Sequence, residues 1–183
     1  YGTKSEYGAN GSKGPCGYLW RKYLDIEEYR TNNGFGTKSV CTLSYPLMRL
    51  AELYLIRAEA NIEWAGGDLG VAKADIETIR SRAHMPGLSE NLSRDGLRSA
   101  LRYERMVELC NEGFRWFDIR RWKIGAETTK VYGLTITPQN DGSFSYMRSV
   151  IQQRGWEDRM NFYPIADAEL FKNHNLVQND GWK

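Results

Sequence analysis

Tyr45-Pro46-Leu47-Met48-Arg49-Leu50-Ala51-Glu52-Leu53-Tyr54-Leu55-Ile56-Arg57-Ala58-Glu59-Ala60 is the stretch that decides how this chain folds. Pro46 suits the first turn of a helix, where a missing N–H costs nothing. Ala51, Leu55, Ala58, Ile62 and Ala65 recur at alternating spacings of four and three, which is one face of a helix. Alanine at 51, 58 and 65 lets a partner helix approach closely. Gly66 and Gly67 are expected to end the helix as a left-handed C-cap. Asp68 is placed to cap the next helix, whose apolar positions Val71, Ala72, Ile76 and Ile79 lead to His84. So short a linker forces two antiparallel, neighbouring helices, a hairpin over about 46–84 that Met85-Pro86-Gly87 closes.

Outward from this hairpin, Leu97 to Trp122 carries a second helical pattern. Ala100, Tyr103, Val107, Cys110, Phe114 and Phe117 alternate three and four, and Glu104, Glu108, Glu112 and Arg115 occupy the other side. The apolar row is therefore expected to face the core. Gly113 argues against one unbroken helix. The expectation over about 94–123 is a helix to about Asn111, then a kink or a second short helix.

Several of these segments are specific. Arg49 to Ala60, Ile79-Arg80-Ser81-Arg82-Ala83, Glu104-Arg105-Met106-Val107-Glu108-Leu109 and Glu112-Gly113-Phe114-Arg115-Trp116-Phe117-Asp118-Ile119-Arg120-Arg121-Trp122 resemble the C-terminal part of the SusD/RagB family. Gly17 to Tyr23, Phe162-Tyr163-Pro164-Ile165 and Asn175 to Trp182 agree, so the likeness spans about residues 17 to 183. Ala166, His174 and Asp180 stand where that family often has proline, which softens turns. The resemblance implies a mainly α, SusD-like fold: a tetratricopeptide-like helical hairpin, further helices, long irregular loops and minor β. The spacing of Ala60, Gly67, Ala72 and Ile76 fits one such unit, the last of the four that the family carries. By the same resemblance, the full protein is a lipoprotein on the surface of the outer membrane. It captures glycans without catalysis and works with a TonB-dependent, SusC-type transporter. Its lipid anchor, the expected membrane attachment, lies upstream of Tyr1. No cofactor is implied.

Composition bounds the alternatives. The 183 residues suit one domain with a real core. Hydrophobic residues at 41% and charged residues at 26% are those of a globular chain. A formal net charge of +2 indicates no strongly charged partner, and nucleic acid is not expected. Arg49, Glu52, Arg57 and Glu59 interrupt the most apolar segment, so no run has membrane-spanning length. The sequence starts at Tyr1 without an initiator methionine and is expected to be a piece of a longer chain. Cys110, on an apolar helical row, is expected to be a buried thiol. Cys16 and Cys41 either pair in an oxidising compartment or stay free.

The remaining chain alternates loops with extended pieces. Residues 1–15 are glycine-rich. Tyr18 to Tyr23 and Val40 to Ser44 are strand-like, and Asn32-Asn33-Gly34 marks a turn. The region 125–165 holds a hairpin signal: Val131 to Thr137 and Phe144-Ser145-Tyr146 flank Pro138-Gln139-Asn140-Asp141-Gly142. Asn161 to Ile165 reads as extended. Asp167 is expected to cap a helical turn ending at Phe171, before an irregular tail.

No catalytic or metal-binding signature is present. His84 and His174 have no second His or Cys placed to complete a metal site. Glu104, Glu108 and Glu112 form a carboxylate row on one helix. Two facing carboxylates are what a glycoside hydrolase needs, but those normally come from different segments. Ion pairing with Arg105, Arg115 and Arg57-type partners is the expected role here. A helical-repeat scaffold for a protein partner is the other alternative, and one repeat is too short for its groove. Sugar binders stack the C–H face of a pyranose on an exposed ring beside polar groups. Tyr29, Phe35, Tyr132, Tyr146 and Trp156 lie in such polar, loop-like contexts and are the candidate glycan contacts. Trp116 and Trp122 are expected to serve the core.

Overall fold

The computed structural model describes Lys22, Tyr23 and residues 44–182. It divides the chain into two compact units, Tyr23–Trp116 and Tyr1–Lys22 with Phe117–Lys183. Cys16, Cys41, Tyr29, Phe35 and the first strand-like pieces lie outside the described residues, except that Lys22 and Tyr23 form a turn.

In the unit Tyr23–Trp116, α1 (Leu50–Glu63), α2 (Leu69–Arg82) and α3 (Arg94–Glu108) pack on one another. Their core is Leu55, Ala58 and Ile62 of α1, Ala72, Ile76 and Ile79 of α2, and Leu97, Leu101 and Leu109 from α3 and its end. Ala51, Leu69, Leu88, Leu92 and Phe114 pack against it. The helical hairpin is thus as the periodicity predicts, and Asp68 caps α2 by accepting hydrogen bonds from the Gly70 and Val71 amides. Ser93 caps α3 through the Gly96 amide.

The ends of α1 differ from expectation. The helix starts at Leu50, not at Pro46. Arg49 sits at its N-cap in an extended conformation, because its guanidinium reaches across to Glu108 and Glu112. At the other end Trp64 is the C-cap and Ala65 is exposed beyond the helix. Gly66 and Gly67 do not adopt the left-handed conformation. Glycine at 67 serves close approach instead: a Cβ there would lie 2.1 Å from the carbonyl oxygen of Asn61. Arg94 closes the C-terminus of α1, its Nη1 donating to the carbonyls of Ile62 (2.5 Å) and Trp64 (2.8 Å). These are carbonyls that a helix end leaves without an internal partner.

The rotation of α3 is the main departure. Glu104 and Arg105 are buried, while Tyr103, Met106 and Val107 are exposed. Of the row read as core, Tyr103 and Val107 face outward and only Phe114, beyond the helix, packs inward, while the row read as solvent-facing points inward. Cys110 follows the outward row and is half-buried rather than enclosed; it forms no disulfide. Three arginines account for the inversion. Arg80 of α2 pairs with Glu104 at 2.9 Å. Arg49 pairs with Glu108 at 2.6 Å and Glu112 at 2.7 Å, and Arg82 reaches Glu108 at 2.8 Å. The guanidinium partners are Arg49, Arg80 and Arg82. Arg57 instead holds the buried Asp75 at 2.5 Å. Burial alone would lower the Arg49 pKa, but its bonds to Glu112 and Glu108 raise it above the ordinary arginine value.

After α3 the chain kinks as expected. Asn111 and Gly113 both take positive φ, 61° and 84°, and α4 (Phe114–Arg121) follows. In the second unit, a 3-10 turn (Gly125–Thr128) leads into the antiparallel strands β1 (Lys130–Pro138) and β2 (Phe144–Gln153). The hairpin is real and longer than the sequence signal. A second 3-10 turn (Asp158–Asn161) precedes the extended Phe162–Ala166 piece, and α5 (Asp167–Lys172) begins there. Asp167 is the first residue of α5 and not its cap. Ala166 holds the cap position, so Asp167 contributes charge to the helix N-terminus.

The tail is irregular but pinned. Trp182 donates its indole N–H to the carbonyls of Arg159 (2.9 Å) and Phe162 (3.1 Å). Gln178 brackets Ile165 with two 2.8 Å bonds, one to its amide and one to its carbonyl. No helix among the described residues is long and apolar enough to cross a membrane. The class is mainly α with minor β. Since Ala58 is fully buried at the contact of α1 with its neighbours, Ala58→Trp is expected to destabilise the protein by about 1–3 kcal/mol through overpacking. Thermal unfolding at an unchanged midpoint would contradict this packing.

Candidate functional site

Successive side chains of a strand point to opposite faces, and the register of the hairpin sorts its residues accordingly. Tyr132, Leu134, Ile136 and Pro138 stand opposite Val150, Arg148, Tyr146 and Phe144. The other face pairs Gly133, Thr135 and Thr137 with Ser149, Met147 and Ser145. One face is therefore aromatic and aliphatic with a single cation, and the other is dominated by small hydroxyl side chains. A register shift at Val131/Tyr132 inserts one extra residue in β2, which strengthens the local twist.

On the aromatic face, Tyr132, Phe144, Tyr146 and Val150 are exposed and Leu134 and Ile136 are half-buried. Tyr146, at 61% relative exposure, is the most open ring of the three. The Arg148 guanidinium lies 3.7 Å from the centroid of Tyr132. It occupies one side of that ring by a diagonal cross-strand contact and leaves a charged donor beside the stripe. The turn is fixed locally: Asp141 accepts from the Ser143 amide (2.9 Å) and hydroxyl (2.6 Å). Those bonds hold its carboxyl below the ordinary aspartate pKa. Gly142 takes a φ of 82°, a conformation that favours glycine.

The structure thus brings two of the sequence candidates, Tyr132 and Tyr146, onto one face. Trp156 lies after β2, away from that face. It is half-buried, with the Arg120 guanidinium 5.2 Å from its ring and Gly125 against it. Tyr163 stacks on the same guanidinium at 5.5 Å. This sandwich ties the segments just before β1 and just after β2 and so anchors the base of the hairpin. Trp116 is exposed, contrary to the core role expected of it, and Trp122 is half-buried with Arg121 4.5 Å from its ring. Phe144, Arg148 and Val150 were not singled out from the sequence. The signal that finds them is the period-two alternation of β2, Phe144, Tyr146, Arg148, Val150.

The carboxylates of the α3 row are all engaged by arginines. Each of Glu104, Glu108 and Glu112 accepts from a guanidinium of another segment, and Glu104 and Glu112 are buried. A glycosidase needs two carboxyl groups facing each other across the sugar, whereas these project side by side from one helix and its end.

Comparison with known proteins assigns the family. The family model described as SusD family matches residues 1–182. The SusD-like protein P2 of Formosa agariphila is 32% identical over 166 residues, which cover 87% of this chain and 29% of that protein. The starch-binding protein SusD of Bacteroides thetaiotaomicron is 32% identical over 138 residues, 75% of this chain and 21% of that protein. The crystal structure of a SusD-like protein from Bacteroides fragilis superposes with a TM-score of 0.63 at 33% identity, covering 75% of this chain and 26% of that one. The chain belongs to the SusD family and spans between 21% and 29% of the length of these relatives.

A Cβ at residue 125 would lie 1.8 Å from Trp156 Cε2. Gly125→Ala is therefore expected to displace the indole and destabilise the protein by about 1–3 kcal/mol. An unaltered unfolding midpoint and unaltered tryptophan fluorescence would show that Trp156 does not anchor the hairpin.

Proposed function

We propose that this chain is the C-terminal portion of a glycan-binding lipoprotein at the outer-membrane surface. It captures oligosaccharide and hands it to a TonB-dependent, SusC-type transporter, with no bond broken. The observation that carries the reading is membership of the SusD family together with 32% identity to a starch-binding protein over 138 residues. The local feature that agrees is the exposed aromatic face of the hairpin. A pyranose presents an apolar C–H face to a ring and hydroxyls to neighbouring polar groups. Tyr146 and Phe144 offer the rings, and Arg148 offers charged donors. Paired through Ile136 and Pro138, the two rings stand two residues apart along β2, or about 7 Å on one face.

The arginine-clamped carboxylates support the non-catalytic half of the reading, since each is committed to holding helices together. The lipid anchor and the larger share of the glycan site are assigned to the part of the protein outside residues 1–183. Binding by this piece alone is accordingly weak.

The test is calorimetric titration of the polypeptide that the gene encodes, with its glycan identified by screening oligosaccharides. Tyr146→Ala is expected to weaken binding about tenfold, or about 1.4 kcal/mol, at an unchanged melting temperature. The same protein should release no reducing sugar from any polysaccharide. Full affinity in Tyr146→Ala and in Phe144→Ala would remove the hairpin from the site. Turnover of a glycan would overturn the binding-only reading.

A further inference from the structure

The β hairpin leaves positive charge without a carboxylate to hold. In the helical unit, Arg49, Arg57, Arg80, Arg82 and Arg98 each pair with a carboxylate. From Lys130 to Arg154 the sequence has three cations, Lys130, Arg148 and Arg154, and one carboxylate, Asp141. Asp141 sits in the turn and is taken up by the Ser143 amide and hydroxyl. Between the register shift and the turn, the aromatic face holds one cation, Arg148. On the other side of the shift Lys130 continues that face, two residues before Tyr132 on β1. Arg148 and Lys130 are both exposed, and neither has an ion-pair partner among the described residues. Arg148 is nonetheless held in place, because its guanidinium lies on the Tyr132 ring. Stacking uses the flat side of a guanidinium and leaves its N–H edge to meet an acceptor.

The donor set of this face selects among glycans. Guanidinium and ammonium groups donate hydrogen bonds and accept none. A neutral sugar hydroxyl both donates and accepts, so a site for it pairs such donors with carboxylate or amide oxygens. The aromatic face carries no Asp or Glu, and Gln153, opposite Lys130, is its one amide. A uronate carboxylate or a sulfate ester only accepts, and its bonds to a guanidinium are charge-assisted, about twice as strong as neutral ones. Arg148 follows Tyr146 by two residues on the same face, about 7 Å along β2. A pyranose stacked on Tyr146 therefore brings its ring substituents toward that guanidinium. Resting on the reading of this face as a glycan surface, we propose that the hairpin takes an anionic glycan, one that bears carboxylate or sulfate groups. Tyr146 and Phe144 stack the sugar, Arg148 binds its charge, and Lys130 meets a further charge along the same polymer. A neutral glucan lacks the group that Arg148 is placed to bind.

The experiment titrates the polypeptide that the gene encodes with a maltooligosaccharide, an oligogalacturonate and a sulfated galactan oligosaccharide of matched length. The expected result is that one of the two anionic sugars binds tightest, and that added salt weakens it through screening. Which of the two binds identifies the anion as carboxylate or sulfate. Arg148→Gln is expected to weaken that binding about tenfold at an unchanged melting temperature, while Arg148→Lys, which keeps the charge, retains part of it. Tightest binding of the neutral sugar, anionic binding that Arg148→Gln leaves intact, or no binding of any of the three would overturn the proposal. Where Tyr146→Ala or Phe144→Ala still weakens binding of the neutral sugar, the hairpin remains a glycan surface and only its preference for charge fails. Where neither ring variant changes the binding of any sugar, that surface reading fails and the proposal falls with it.

Discussion

Three buried or half-buried carboxylates held by arginines set the arrangement of the helical unit. Glu104, Glu108 and Glu112 lie along α3 and its end, and Arg80, Arg49 and Arg82 come from the ends of its two neighbours. Burying charge is costly unless each group is paired and hydrogen-bonded. The rotation that α3 adopts satisfies all three carboxylates at once. That rotation drives Leu97 and Leu101 into the core and turns Tyr103, Met106 and Val107 outward. It also pulls Arg49 into an extended conformation, which delays the start of α1 to Leu50. The pairs thus add modest stability beyond the apolar core but determine which face of each helix is available to the rest of the protein.

The hairpin of α1 and α2 was legible because local signals agreed: a periodic apolar row, a short linker and Asp68 at the cap. The kink near Gly113 was legible for the same reason, and the structure adds Asn111, whose positive φ no propensity marks. The rotation of α3 was not legible. Both of its faces have helical spacing, and a row of glutamates reads as solvent-facing until the arginines that neutralise it are known to be near. Those arginines lie 24 to 63 residues away in the chain. The left-handed cap expected of Gly67 does not form, and the close approach of the Asn61 carbonyl that does call for glycine there is a tertiary fact.

The candidate site shows the same division. The β hairpin followed from alternation around a turn, and that alternation is enough to place Tyr132 and Tyr146 on one face. Trp156 has the same composition of neighbours as those tyrosines, and its contact with Gly125 and Arg120 is visible only in the structure. Exposed rings and a rigid support are thus distinct parts of one small unit. The Arg120 sandwich and the pinned tail fix the base of the hairpin, and its aromatic face stays open. Binding residues carried on a segment that a rigid scaffold positions are the common arrangement.

The central claim is that the carboxylates of α3 hold the helices of this unit together. A double-mutant cycle on Arg80 and Glu104, followed by denaturant unfolding, tests it most directly. Glu104→Gln alone is predicted to destabilise by about 1–3 kcal/mol, because it removes the carboxylate charge that pairs with the half-buried Arg80 guanidinium. Arg80→Met combined with Glu104→Leu is predicted to cost far less than the two single changes added together. Strictly additive costs, or an unchanged stability in Glu104→Gln accompanied by the loss of a glycan-cleaving activity, would contradict the claim.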